Sequence, residues 1–209
     1  MRTIGKICFI GLMMVAPALA QNQLQSAPSP AVAGPAFDLS AGYSRLSMPI
    51  PGAGRANLNG LDFSGNIGLS PRWGAILDST YLYAPDVLST HHQSYVVSLH
   101  TGPVFYPINH GNTRVFVRAL AGMGLIDGAV PITETRNYHG WLVRPSYAVG
   151  AGVEQSVSPQ LALRINGDYL RTQFYDSVGA VQPQDSLRLT VAFVFRLKQR
   201  PHRSSAQLY

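Results

Sequence analysis

The chain has 209 residues, a formal net charge of +6 and a single cysteine, Cys8, with charged residues at only 12% against the roughly 25% usual for soluble domains. One cysteine so early excludes disulfide staples, thiolate metal sites and a cysteine nucleophile from everything after it. The length suits one domain, and no dense basic run occurs apart from residues 200–203, so no nucleic acid is expected as a partner.

Residues 1–20 begin with Arg2 and Lys6, continue through an apolar centre at 7–15 and end in Ala18-Leu19-Ala20. That pattern predicts a secretory signal peptide cleaved after Ala20, its centre being shorter than the ~18–20 residues that span a bilayer. Removal of Arg2 and Lys6 leaves 14 basic and 10 acidic residues, a net of +4, and 13 of the 14 are arginine. Residues 21–35, rich in Gln, Ala, Ser and Pro, predict a flexible leader. No later stretch is apolar for long enough to be a membrane helix.

From residue 36 to 198 the chain alternates with period two, in segments separated by turn signals. Phe37, Leu39, Ala41 and Tyr43 oppose Asp38, Ser40, Gly42 and Ser44. Leu61, Phe63, Ile67 and Leu69 oppose Asp62, Ser64, Asn66 and Gly68. Trp73, Ala75, Leu77, Tyr81 and Tyr83 oppose Gly74, Ile76, Asp78 and Thr80. Tyr95, Val97, Leu99 and Phe105 oppose Ser98, His100 and Gly102. Val115, Val117, Ala119, Ala121, Met123 and Leu125 oppose Arg114, Phe116, Arg118, Gly122 and Gly124. Trp141, Val143, Tyr147, Val149 and Ala151 oppose Arg144, Ser146, Ala148, Gly150 and Gly152. The next arm sets Leu161, Leu163, Ile165 and Tyr169 against Arg164, Asn166 and Asp168, and the last sets Leu187, Leu189, Val191, Phe193, Phe195 and Leu197 against Arg188, Thr190, Ala192, Val194 and Arg196.

Eight strands of about 9–11 residues, one face apolar almost end to end and the other small or polar, predict an all-β, eight-stranded antiparallel up-and-down transmembrane barrel. The oily face would meet outer-membrane lipid and the charged face the lumen, where Gly and Ala suit a crowded interior. The connections alternate: 70–72, 107–112 and 157–160 are short, whereas 48–55, 84–93, 127–140 and 173–185 are longer, as periplasmic turns and external loops would be. GLSPRWGAILDSTYL and SVSPQLALRINGDYL, starting at Gly68 and Ser156, echo each other because two hairpins meet the same geometric demand. Pro103 and Pro145 fall inside paired strands, which predicts bulges or different strand ends there.

Membrane-interface aromatics are expected at both rims: Tyr43, Tyr81, Tyr83, Tyr95, Trp141 and Tyr169 at the outer one, and Trp73, Phe105 and Phe195 at the periplasmic one. The candidate lumen ion-pair residues are Asp62, Asp78, Arg118, Arg144, Glu154, Arg164, Asp168, Arg188 and Arg196, since inward charges in a narrow barrel need partners. No metal site and no cofactor are expected: His91, His92, His110 and His139 fall in loops or turns, and His100 points inward as a packed group. The polar residues on the lipid-facing side, Ser79, Thr101 and Arg45, have no histidine beside them to serve as a base, so no enzyme is expected.

Gly152-Val153-Glu154, the Ser158-Pro159 turn, Arg164-x-Asn166-x-Asp168-Tyr169 and a final arginine-bearing aromatic strand resemble the OmpA-type outer-membrane β-barrel domain family. The resemblance covers residues 37–197. It implies an eight-stranded barrel with a polar interior, inward Glu and Arg pairs that block or gate the lumen, and a role as an envelope structural protein, an adhesin or a narrow pore. The periplasmic peptidoglycan-binding domain that the family often appends is not expected, residues 199–209 forming only a basic tail that departs from the usual aromatic ending. The implied function is a structural or surface-interaction role in the outer membrane of a diderm bacterium, as a monomer, with an extracellular ligand met through the long loops. Two alternatives stay open: a porin-like, narrow gated pore for small solutes, and a secreted soluble lipocalin-like barrel with its faces reversed around a ligand.

Overall fold

The computed structural model describes residues 37–50, 54–87, 93–133, 136–174 and 181–197, with the side chains of 128–139 excepted. The predicted signal peptide, the whole of the leader and the basic tail lie outside them. Eight strands follow in order: β1 (Phe37–Ile50), β2 (Gly54–Gly68), β3 (Trp73–Ala84), β4 (Ser94–His110), β5 (Thr113–Thr133), β6 (Arg136–Ser156), β7 (Leu161–Thr172) and β8 (Gln184–Leu197). Each pairs antiparallel with its neighbours in sequence, and β1 pairs with β8 to close an eight-stranded barrel, as the alternation predicts.

Period two becomes two surfaces because successive side chains leave a strand on opposite sides. On β8, Leu187, Leu189, Val191, Phe193 and Phe195 are all exposed, while Arg188, Thr190, Ala192 and Val194 are buried. The same inversion runs around the wall: polar and charged side chains such as Asp78, Glu154 and Arg188 are the buried ones, and Leu61, Val149 and Leu189 stand outside. A soluble ligand-binding barrel would need the opposite arrangement.

The Ser-Pro echo is one turn used twice. After β2, Leu69 N–H donates to the Trp73 carbonyl at 2.9 Å and Trp73 N–H to Ser70 Oγ at 3.1 Å. After β6, Val157 N–H donates to the Leu161 carbonyl at 2.9 Å and Leu161 N–H to Ser158 Oγ at 3.1 Å. In both, the serine hydroxyl accepts from the amide of the residue that opens the next strand, as the chain reverses. The third turn on this side is tighter: β4 runs on to His110, and Gly111 takes a left-handed φ of 56° beside Asn112.

Four expectations change. The strands have 12 to 21 residues rather than 9–11, because the ladder continues past the apolar band. The connection expected at 127–140 is mostly strand: β5 and β6 stay paired from Thr113↔Gln155 up to Thr133↔Arg136, as a ribbon longer than its neighbours. The bulge in β4 spans Tyr106 and Pro107, between Phe105 and Ile108, whereas Pro103 sits opposite Ala75 without a register shift. Pro145 also keeps register, opposite Met123, and the β6–β7 ladder starts one residue later, at Ser146↔Thr172.

The fourth change concerns the inward face, which is not small or polar throughout. Toward the outer ends of the strands Leu46, Met48, Leu58, Leu82, Leu170 and Phe174 are buried together, forming an apolar cap inside the barrel. A lumen too narrow for bulk water favours such packing over unpaired polar groups.

Glycine sets how closely the seam between β1 and β8 can approach. A Cβ on Gly42 would lie 2.3 Å from the Val191 carbonyl oxygen and 2.5 Å from Ala192 Cβ, whereas one on lipid-facing Gly65 would meet nothing nearer than 3.8 Å. Gly42→Val is therefore expected to cost at least about 1–3 kcal/mol by overpacking, with most of the unboiled protein running at the unfolded position on a denaturing gel. Gly65→Ala is expected to leave that migration unchanged.

Candidate functional site

The inward charges sort into two connected layers. In the layer nearer the short turns, Glu154 on β6 faces Arg164 on β7 directly in register. Arg164 donates to Glu154 Oε1 from Nη2 at 2.8 Å and from Nε at 3.0 Å. Its Nη1 continues across the lumen to Ser64 Oγ at 3.1 Å, and Ser64 shares a 2.6 Å hydrogen bond with Ser40. Arg114 on β5 bridges Glu154 at 3.3 Å and Asp38 on β1 at 3.4 Å, and Arg196 approaches Glu154 at 3.7 Å while donating to Ser156 Oγ at 2.7 Å. Aromatic faces back the cations: the Arg114 guanidinium lies 4.5 Å from the Tyr106 ring centroid and that of Arg164 5.4 Å from Phe116.

The second layer spans the lumen. Arg118 on β5 grips Asp168 on β7 with two parallel bonds, Nε to Oδ1 at 2.8 Å and Nη2 to Oδ2 at 2.6 Å, and reaches Asp78 on β3 with Nη1 at 3.1 Å. Arg188 on β8 holds the same two carboxylates, Asp78 Oδ1 at 2.9 Å and Asp168 Oδ2 at 3.1 Å from Nε. In a closed ring of eight, β3 and β7 are opposite walls, so two guanidiniums tie the barrel across its diameter. Asn166 adds a donor to Asp168 at 3.1 Å, and Asp62 stands at the edge, 4.0 Å from Arg188. Such forked, charge-assisted bonds are strong and directional. Above and beside them Thr80 bonds Ser98, Ser44 bonds Thr190 at 3.0 Å, and His100 Nε2 lies 2.9 Å from Ser146 Oγ.

Together the layers join five arginines, Arg114, Arg118, Arg164, Arg188 and Arg196, to five acids, Asp38, Asp62, Asp78, Glu154 and Asp168. Their formal charges cancel, which is what a charged set removed from water requires. Of the nine lumen candidates taken from the sequence, eight stand in these networks. The ninth, Arg144, is half-buried on the inward side of β6 near its outer end. Asp168, four residues from Arg164 on the same face, engages Arg118 and Arg188 instead of Arg164. Two members were missed, Asp38 and Arg114. Their phase places both inward, beside Ser40 and Phe116, so the alternation itself was the signal.

The interface aromatics all lie on the outward phase, between about half and one-third or less exposed. Trp73 and Phe105 stack across β3–β4 at 4.8 Å next to the short turns, and Tyr83 and Tyr95 do so at 4.8 Å near the opposite end. Tyr43, Tyr81, Trp141, Tyr169 and Phe195 stand on the same outer wall. His91 and His92, and the side chain of His139, lie outside the described residues; among those described, no cluster of metal-ligating side chains forms.

Removing one carboxylate from the crossing layer strands two buried guanidiniums. Asp168→Ala is expected to lower the unfolding free energy by about 3–5 kcal/mol in urea titrations of the lipid-reconstituted protein. Asp185→Ala, which removes the exposed 3.7 Å pair with Arg171 and a hydrogen bond with Tyr169 on the same outer surface, is expected to change it by less than about 1 kcal/mol.

No protein-family model and no curated protein matches the sequence. Among solved structures, the chain is similar to Neisserial surface protein A, with a TM-score of 0.61 at 14% identity over 79% of this chain and 100% of that one. It is also similar to Ail, the attachment invasion locus protein of Yersinia pestis, in complex with the heparin analogue sucrose octasulfate, with a TM-score of 0.55 at 15% identity over 79% and 100%. At such identities the likeness is one of fold: this chain has the fold of small outer-membrane β-barrels.

Proposed function

We propose that this protein is an outer-membrane β-barrel that crosses the bilayer as a plugged cylinder and carries its long hairpins at the cell surface, in a structural or surface-interaction role without catalysis. The observation that carries this is the inversion of the wall. Leu189, Val149 and Phe193, at 64%, 58% and 54% exposed, stand on a closed barrel whose buried residues include Arg188 at 1% and Glu154 at 0%. Apolar surface on that scale favours lipid over water by about 25 cal/mol per Å². A closed barrel leaves no backbone group unpaired in hydrocarbon.

The termini of β1 and β8 and the three short turns lie at one end, which suits the periplasm. The ribbon of β5 and β6 and the connections after β3 and β7 lie at the other, which suits the exterior. Surface protein A and the attachment invasion locus protein bear names that speak of the cell surface, and a ligand met through the external hairpins is proposed for this chain too. The lumen supports a plug rather than a porin-like pore, because the pairs Arg118–Asp78, Arg118–Asp168 and Arg188–Asp78 cross it between strands that do not pair, and the apolar cap fills the outer end.

The test is migration of the membrane-extracted protein with and without boiling, together with reconstitution into planar bilayers. A boiling-dependent shift and an electrically silent bilayer are expected. The double variant Arg118→Ala/Arg188→Ala, if it folds, is expected to open discrete conductance steps. Steady conductance by the unaltered chain would instead make it a narrow pore, and solubility without detergent would remove the membrane role altogether.

A further inference from the structure

The apolar wall ends differently on β1 and β2 than elsewhere. Above Tyr43 on β1 the outward residues are Arg45 and Ser47, and above Leu61 on β2 they are Asn59, Asn57 and Arg55. The register sets Arg45 opposite Asn59 and Ser47 opposite Asn57, so the five make one continuous polar patch. Arg55 leans across it, donating from Nε to Ser47 Oγ at 3.1 Å and from Nη2 to the Ser47 carbonyl at 3.3 Å. Neither Arg45 nor Arg55 has a carboxylate within ion-pair distance among the described residues. The other outward arginine at this rim, Arg171, is neutralised by Asp185.

Two guanidiniums directly above an oily wall, without a carboxylate partner among the described residues, offer a site for an anion at the depth where headgroups lie. We propose that Arg45 and Arg55, with Ser47, Asn57 and Asn59, bind the phosphorylated sugar headgroup of an outer-leaflet glycolipid. Forked guanidinium donors match phosphate oxygens two at a time, and the amides and hydroxyl match sugar hydroxyls. A zwitterionic phospholipid brings an ammonium group that the patch repels.

The hollow of about 700 Å³ in the outward wall around Gly65 lies lower, reaching Phe37, Ile67 and Phe195 near the short turns, and takes no part in this site.

The inference rests on the membrane role proposed above, and its test separates the two. The full chain is folded into phosphatidylcholine nanodiscs doped with bisphosphorylated lipid A, insertion is verified by the boiling shift, and retained lipid is counted by native mass spectrometry. Retention on the order of tenfold above that of phosphatidylcholine is expected, lost with chemically dephosphorylated lipid A and lost in Arg45→Gln/Arg55→Gln, but kept in Arg171→Gln. Equal retention of phosphorylated and dephosphorylated lipid A by the unaltered, inserted chain overturns the headgroup site and leaves the membrane role standing. Equal retention of phosphatidylglycerol and lipid A overturns the sugar part of the assignment. Failure to insert overturns both.

Discussion

Two guanidiniums shared between two carboxylates hold this barrel across its middle. Arg118 and Arg188 each touch both Asp78 and Asp168, so the four groups form a closed circuit between β3, β5, β7 and β8. Hydrogen bonds between neighbouring strands fix the wall only locally, each to the next. Three of the circuit's four links instead couple strands that never pair, and the fourth, Arg188–Asp168, joins neighbours in register. The charges are affordable inside because each base meets two acids and each acid two bases. Outside the wall the same residues would be expelled.

From that constraint the distribution of the other side chains follows. A lumen narrow enough for guanidiniums to cross leaves no channel of bulk water, so every further inward group must either bond or pack. Ser40 and Ser64, Ser44 and Thr190, and Asn66 and Tyr106 bond in pairs. Where polar pairs run out, at the outer ends of the strands, Leu46, Leu58, Leu82 and Phe174 pack instead. The interior thus holds its ion pairs toward the short turns and middle, and packs leucines with Thr172, Gln184 and Ser186 toward the far ends.

Much of this could be read from the chain before any coordinates. A period of two assigns each residue to a face, and eight long runs of it with turn signals between them give strand number, order and orientation. It also gave the inward set that contains Glu154, Arg164 and Asp168. It could not say who meets whom, because Arg118 lies 40 residues from Asp78 and 50 from Asp168, and only closure of the ring brings them together. Glu154 and Arg164 were accessible because one hairpin joins them. The apolar cap was obscured for a related reason: Leu46 and Leu82 carry the right phase for the interior, but an isolated inward leucine looks like noise until its partners on other strands are known. Strand ends were misjudged because the ladder runs on past the segments with an apolar face, and hydrogen bonding alone keeps β5 and β6 together there.

The ribbon that β5 and β6 form beyond their neighbours carries a liability that the barrel itself avoids. Ring closure leaves no free strand border within the membrane. Above Tyr95↔Asp127, however, β5 has no β4 partner, and among the described residues 136–145 of β6 pair only with β5. Among the described residues, then, both borders of the ribbon offer backbone donors and acceptors on which another chain could lay a strand. Pro131 and Pro145 each remove a donor from it. The two prolines, awkward for a paired wall, suit a ribbon paired on one side, where a missing N–H leaves an added strand one bond fewer to form.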